Sequence, residues 1–317
     1  MLGYAIRRFG VALGLIWVVA TLVFLMIHLI PGDPAELLLS QGGFAPDPVA
    51  VEELRRRLGL DQPLLAQYAK YLGDLLQGDL GRSLLDDHPV ATEIALRLPR
   101  TLELIGAAGL IAVLFGLPLG AVAALKARTS ADRILSVLAG IAMSVPVFVI
   151  GTLAILLFAQ TLRWMPAGGF TPFWRDPIEH LALLAMPAAT IAIGLGAVVF
   201  RMARTSILEV LERDYVRTAR AKGVTPMRIV LHHVIRNALI PIVTVLALHL
   251  GTLLGGTVLV EFVFNWPGLS GYLVNAVEAR DYPEVMGIVL VISVLFVLLN
   301  LAVDLLYAGL DPQVRHT

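Results

Sequence analysis

Apolar residues in this chain run unbroken instead of alternating with polar ones. Six windows consist almost wholly of Leu, Ala, Val, Ile, Gly and Phe: 9–30, 101–125, 134–160, 181–203, 238–262 and 284–308. A bilayer core takes about 20 helical residues to cross. A membrane β-barrel would instead show segments of about 10 residues with alternating polarity. The pattern therefore predicts an all-α polytopic membrane protein with six transmembrane helices. The first window is longer than the apolar stretch of about 7–15 residues in a signal peptide, so it reads as an uncleaved first span.

One sizeable region is not apolar. Residues 31–98 open with Pro31-Gly32-Asp33-Pro34, a helix-stopping turn. Helical periodicity follows over 48–58, with Val49, Leu54 and Leu58 apolar, and Leu58-Gly59-Leu60-Asp61-Gln62-Pro63 ends it. A second helix is predicted over 64–76, with Leu64, Leu65, Tyr68, Leu72 and Leu75 on one face. Gly78-Asp79-Leu80-Gly81-Arg82-Ser83 reads as a turn. The expected organisation is an N-terminal transmembrane helix (1–30), a helical extracytoplasmic region (31–98), a five-helix transmembrane domain (99–308) carrying a cytoplasmic loop at 205–236, and a cytoplasmic tail (309–317).

Prolines at 118, 146, 187 and 241 fall inside the spans, where proline is tolerated and kinks the helix. Gly116 and Gly120, Gly251 and Gly255, and Ser136, Gly140 and Ser144 form stripes of small residues that permit close helix packing.

Composition agrees with the pattern: 58% of residues are hydrophobic and 15% charged. The zero net charge hides an asymmetry. With an inside N-terminus, 14 Lys and Arg and 6 Asp and Glu fall on the inner side, against 10 and 18 on the outer side. Basic loops face the cytoplasm, so both termini are expected there. Anionic lipid or an acidic partner surface accounts for this basic charge without nucleic acid.

Much chemistry is absent. There is no cysteine, and so no disulfide. No phosphate-binding loop is present, so the chain is not expected to hydrolyse ATP alone. Nor does it contain H-E-x-x-H or G-x-S-x-G. His232 and His233 point about 100° apart on a helix, a poor geometry for one metal, and read as a surface pair. His28 and His249 lie within apolar spans and read as packing residues, although an intramembrane polar group is a functional candidate. No catalytic residue, metal site or cofactor is assigned to the chain. Glu103, Arg201, Glu261 and Asp304 all lie near span ends. That argues against an ion-coupled secondary transporter, which keeps charges at mid-membrane. An intramembrane enzyme would need a nucleophile–base or Asp pair at depth, and none is found.

The loop at 205–236 is the most informative segment. Glu209, Glu212 and Asp214 lead, Arg217, Arg220 and Lys222 follow, and Gly223 closes the run. Acid first and base last suit a helix dipole, and Gly223 suits a C′ position. Thr225-Pro226 reads as the N-cap and first residue of a new helix. Ala219 and Ala221 would let a partner come close. The residues alone leave two readings open: an amphipathic helix among lipid headgroups, or a helix that docks in a partner's groove.

Tyr215-Val-Arg-Thr-Ala-Arg-Ala-Lys-Gly223, with Arg236-Asn-Ala-Leu-Ile-Pro241 after it, resembles the cytoplasmic "EAA" loop of binding-protein-dependent ABC importer permeases. More narrowly it resembles the dipeptide/oligopeptide/nickel permease family. Pro31-Gly-Asp-Pro34, Leu58-Gly-Leu-Asp-Gln-Pro63, Gly78-Asp-Leu-Gly-Arg-Ser83, Met165-Pro-Ala-Gly-Gly169, Trp266-Pro-Gly268 and Arg280-Asp-Tyr-Pro283 resemble family segments in the same order. The general motif opens Glu-Ala-Ala six residues before its Gly. Here those positions are Arg217, Thr218 and Ala219, the form of the peptide branch, so no salt bridge from that glutamate is carried over.

The resemblance implies a type I ABC importer permease fold with an extended first extracytoplasmic loop, in the bacterial plasma membrane. It implies a second, related permease subunit, two ATP-binding subunits that hold ATP and Mg, and an extracytoplasmic substrate-binding protein. Dipeptides or oligopeptides would be the cargo, with nickel, glutathione or another small solute as the alternative within the family. Arg217, Thr218, Ala219, Arg220, Ala221, Lys222 and Gly223 would be the ATPase-coupling residues; the resemblance names no substrate-binding residue.

Overall fold

The computed structural model describes residues 2–29, 34–39, 47–57 and 59–310. Pro31, Gly32, Asp33 and Leu58 of the expected turn motifs lie outside the described residues, as does the tail from Asp311 with its Arg315. The described chain is helical, apart from loops and one isolated bridge between Arg82 and Pro89.

In chain order the helices are α1 (Leu2–Leu29), α2 (Pro34–Leu39), α3 (Pro48–Arg57), α4 (Leu64–Leu76), α5 (Val90–Leu125), α6 (Ser130–Ser144), α7 (Val147–Ala154), α8 (Pro177–Leu211), α9 (Asp214–Ala221), α10 (Pro226–Ile229), α11 (Arg236–Gly256), α12 (Val258–Val263), α13 (Leu269–Glu278) and α14 (Tyr282–Leu310). Two π-helical stretches, Ile155–Thr161 and Val230–Ile235, continue α7 and precede α11. By length and composition four helices can each cross a membrane, and two bent pairs bring the number to as many as six.

The expected spans reappear with longer ends. α5 begins at Val90 and α8 extends to Leu211, each well past its apolar window. Pro118 and Pro187 sit inside continuous helices, whereas Pro146 does not. The expected third span is two 15-residue arms, Ser130–Ser144 and Val147–Thr161, that meet at 98°. Val145 is extended (φ −83°, ψ 126°). The ring of the next residue, Pro146, disfavours a helical backbone there. Each arm is about 22 Å long by helical rise, short of the ~30 Å bilayer core. The expected fifth span also divides: the Met227–Leu239 and Pro241–Gly256 segments differ by 41°, and Glu261 belongs to the separate α12.

The chain forms two compact units. The first comprises Leu98–Gly271 with both chain ends, Met1–Ala5 and Leu298–Thr317; the second comprises Ile6–Arg97 and Tyr272–Val297.

In the first unit α8 is the axis. Near its start Leu184, Met186, Ala188 and Ile191 pack with Leu104, Ala108, Val260, Phe264 and Trp266. Near its end Val199, Ala203 and Ile207 pack with Ala124, Val216, Ile229, Val234, Ala238 and Ile242. Lipid is as apolar as leucine, so tight packing and polar contacts hold such helices together. Gly116 and Gly120 show this: a Cβ on either would lie 2.6 Å from a carbonyl oxygen of α8, that of Gly196 or Phe200. That small-residue stripe is the α5–α8 crossing. Gly140 and Gly255, in the other two stripes, have open space at the Cβ position.

In the second unit Phe24 of α1 stacks with Tyr68 and Tyr71 of α4, and the Thr21 hydroxyl meets that of Tyr68 at 2.6 Å. Leu65, expected on the packed face of α4, is 81% exposed. Two of the motifs read from sequence meet in this unit. Ser83 of Gly78–Ser83 donates to the buried Asp281 of Arg280–Pro283 at 2.6 Å, and the Leu84 N–H donates to the same carboxylate oxygen at 2.9 Å.

Candidate functional site

The loop between α8 and α11 is built by its local sequence. α8 ends at Leu211, Arg213 is extended (ψ 145°), and α9 begins at Asp214. Asp214 is the one acid in its first turn and Arg220 the base in its last, the arrangement a helix dipole favours. Glu209 and Glu212, read from sequence as part of the acidic lead, belong instead to the last turn and C-cap of α8.

Gly223 ends α9 in the left-handed region (φ +77°). Its N–H donates to the Arg220 carbonyl at 3.0 Å, and the Val224 N–H donates to the Ala219 carbonyl at 3.2 Å. These two bonds form a Schellman motif, with Val224 and Ala219 both packed against the cluster below. Thr225 then accepts from the Ile229 N–H at 3.1 Å and α10 starts at Pro226, as the sequence pattern predicts.

The seven candidate residues do not share one face. Val216, fully buried, anchors α9 to the α8 end, and half-buried Ala219 packs beside it. Ala219 is therefore partly covered by its own bundle, unlike the other six. Arg217, Thr218, Arg220, Ala221, Lys222 and Gly223 are exposed. Gly223 has no atom of the chain within 4 Å of its Cβ position, so its backbone conformation, not crowding within the chain, calls for glycine.

The exposed rim is basic. Arg217 makes one long contact with Asp214 at 3.6 Å. Among the described residues Arg220 and Lys222 have no carboxylate within ion-pair distance. Exposed Tyr215 and Met227 flank them, and Asn237 donates to the Tyr215 hydroxyl at 3.2 Å. The result is a short, rigidly capped helix with free guanidinium and ammonium groups outside and an apolar root inside. His232 and His233 are exposed, consistent with a surface pair.

Three constellations escaped the sequence reading. Bidentate Arg204 on α8 holds Asp132 on α6, at 2.6 and 2.9 Å. Buried His180 lies between the Thr171 carbonyl and the Glu103 carboxylate, each at 2.7 Å. Glu261, 1% exposed, accepts from Thr101 (2.8 Å), Thr257 (3.1 Å) and the Gly271 N–H (2.8 Å). This last network explains two motifs. A Cβ on Gly268 of Trp266-Pro-Gly268 would overlap the Glu261 carboxylate, and one on Gly168 of Met165–Gly169 would overlap the Phe264 carbonyl. Asp132 and Arg204, Glu103 and His180, and Thr101 and Glu261 lie 72 to 160 residues apart, with no local spacing to announce them.

Solved structures share this architecture. The inward-facing MetNI methionine ABC transporter matches with a TM-score of 0.56 and 21% identity, over 69% of this chain and 96% of that one. An amino acid ABC transporter crystallised with histidines matches with a TM-score of 0.53 and 17% identity, over 69% and 94%. The fold is thus that of an ABC transporter membrane subunit. Residues 116–316 match the family described as "Binding-protein-dependent transport system inner membrane component", and residues 1–105 match its N-terminal counterpart. The chain belongs to this family and is a permease subunit of an ABC importer. The glutathione transport system permease protein GsiC of Escherichia coli O6:H1 (strain CFT073) is 43% identical over 316 residues, covering all of both chains. Those of Escherichia coli K12 and Shigella dysenteriae serotype 1 are 42% identical over the same span.

Proposed function

We propose that this subunit, with a second and related permease, forms the path for a short peptide delivered by an extracytoplasmic binding protein. Glutathione is the first candidate. The observation that carries this reading is 43% identity over the whole length of a glutathione permease. Dipeptides and longer peptides are the runners-up within the same family.

In this reading the protein lies in the bacterial inner membrane with both termini in the cytoplasm, as the inner excess of Lys and Arg favours. Residues 31–98 face outward. ATP and Mg are bound by two partner subunits, not by this chain. Arg217, Thr218, Arg220, Ala221, Lys222 and Gly223 form the surface that meets an ATP-binding subunit, with free cations aimed at acidic groups. Ala219 works from beneath, seating α9 on α8. ATP-driven closure moves α9 as a rigid body and biases the bundle between two states.

The test is uptake of labelled glutathione into proteoliposomes holding the complex purified with the products of the neighbouring genes. ATP-dependent uptake that competing dipeptides do not suppress supports the glutathione reading. Uptake of dipeptides in its place moves the substrate within the family. Purification of the chain with no ATP-binding subunit overturns the coupling assignment.

A further inference from the structure

Asp132 opens α6 and is 4% exposed. Arg204 reaches it from α8 with two parallel bonds, Nε to Oδ1 at 2.6 Å and Nη2 to Oδ2 at 2.9 Å. Oδ2 also accepts the Arg128 N–H at 2.9 Å, and Oδ1 the Ser136 hydroxyl at 3.4 Å. Arg128 is a non-glycine residue at φ +66°, so this carboxylate holds the α5–α6 turn in a costly conformation. Replacing a buried pair by apolar groups often loses nothing in stability, while removing one partner alone is destabilising. Holding the Arg128 turn gives a reason for the carboxylate but not for an arginine fork from α8.

Position gives one. Arg204 stands beside Ala203 and three residues before Ile207, and both of these belong to the buried cluster that takes in Val216 of α9. The same turn of α8 thus seats the α9 helix on one side and grips α6 on the other. α8 is also locked to α5 by the backbone contacts at Gly116 and Gly120. α6 also packs along α8, and among the described residues Asp132–Arg204 is the one ion pair that joins the two helices. Beyond its first turn it meets the neighbouring helices through Ala139 and Ala142, with Leu135, and through a weak Arg201–Met143 contact at 3.5 Å. An apolar groove of about 320 Å³, lined by Leu138 and Ala142 of α6, Phe115 and Leu119 of α5 and Ala192 and Ile193 of α8, opens beside this contact. The far end of α6 is the 98° break at Val145 and Pro146. α6 is a short arm, tied to α8 by an ion pair at one end and ended by a sharp bend at the other.

We propose that the Asp132–Arg204 pair is the strut that transmits movement of α9, through the end of α8, to α6 and the bent arm beyond it. Both residues are positioning residues for coupling. The proposal rests on the importer reading above. Charge and fork geometry make the link stiff: a guanidinium clamped on both carboxylate oxygens resists rotation as well as separation.

The experiment uses the full complex in proteoliposomes. The chain has no cysteine, so Ile141→Cys on the exposed side of α6 and Ala221→Cys on α9 each give a unique reporter. Maleimide modification rates are compared without nucleotide and with ATP plus vanadate. In the wild-type background both reporters should respond. In Asp132→Asn, and in the double variant Asp132→Asn/Arg204→Met, the Ile141→Cys response should fall at least about fivefold, the low end of an allosteric coupling, while the Ala221→Cys response persists. Thermal stability should drop in the single variant and recover in the double, because the double leaves no unpaired charge. Arg204→Lys, which keeps the charge but loses the fork, should restore part of the response. An undiminished Ile141→Cys response in the double variant overturns the strut. A wild-type complex with no nucleotide response at either reporter sinks the importer reading instead.

Discussion

Gly223, Gly268 and Gly168 show glycine required for different physical reasons, and these reasons rank their substitutions. At Gly223 the need is the left-handed backbone alone, since nothing surrounds its Cβ position. Gly223→Ala should therefore cost about 1–2 kcal/mol, seen as a modest fall in melting temperature with the complex still assembled. Gly223→Asp adds a negative charge at the C-terminus of α9, and it should uncouple ATP hydrolysis from uptake at normal expression. Wild-type transport in that variant would remove Gly223 from the coupling surface. At Gly168 a Cβ would meet the Phe264 backbone carbonyl, which cannot turn aside. Gly168→Ala should be the most damaging of the alanine substitutions at these three glycines, and Gly268→Ala, facing the Glu261 carboxylate, intermediate. Melting curves of the purified variants give the order directly.

Tyr71 offers a residue-scale test in the opposite direction. Its hydroxyl is buried with no hydrogen-bond partner among the described residues. Burial, aided by nearby Tyr68, pushes its ionisation up from 10.0 to about 12. A raised value means that the stability tied to the neutral phenol is complete below pH 10 and is lost as pH rises through about 12. Tyr71→Phe should leave the protein as stable or more stable at neutral pH, and should remove this alkaline loss. A clear loss of stability at neutral pH would show that the hydroxyl has a partner.

At the scale of elements, apolar windows located the helices but not their bends. Window-counting treats 134–160 as one rod because hydropathy carries no information about ψ. The sequence does contain the signal in the Val145-Pro146 step, yet Pro118 and Pro187 sit in unbroken helices, so a proline alone does not announce a 98° turn. Spin labels at the exposed positions Ile134 and Leu157 test the bend. A straight helix would place their backbones about 35 Å apart. The bent arms should give roughly 20–25 Å by the same helical rise. A distance near the straight value would contradict the broken span. The α9 cap was legible for the converse reason: a Schellman end is a local motif, and Gly223 with Val224 spells it within a few residues. Which way Ala219 faces was not legible, because that depends on α8 and α11 arriving from distant parts of the chain.

At the scale of the whole molecule, the class of protein was legible and its internal wiring was not. Composition and the charge asymmetry sufficed to expect a polytopic membrane protein, and the resemblance of the basic loop and six further segments to a known family led to a permease; the family matches agree over residues 1–105 and 116–316. The polar links among its helices, Asp132 with Arg204, His180 with Glu103, and Thr101 with Glu261, were hidden because each joins residues 72 to 160 positions apart. In sequence each looks like an ordinary charge at a span end. In lipid such links count for more than further apolar burial, since lipid solvates leucine as well as a protein core does. The make-up of the second compact unit was hidden in the same way, because it joins Ile6–Arg97 to Tyr272–Val297, segments far apart in the chain.

The central claim is that the exposed face of α9 engages an ATP-binding subunit. Site-specific crosslinking from Ala221→Cys tests it most directly, since the wild-type chain offers no competing thiol. In membranes carrying the whole complex, a short bifunctional reagent should join this position to an ATP-binding subunit. Cysteine at Ile178, exposed at the opposite end of α8, should give no such product. Absence of the Ala221 crosslink in an assembled, ATP-hydrolysing complex, or reaction of that thiol with an impermeant reagent added from outside the cell, would contradict the account.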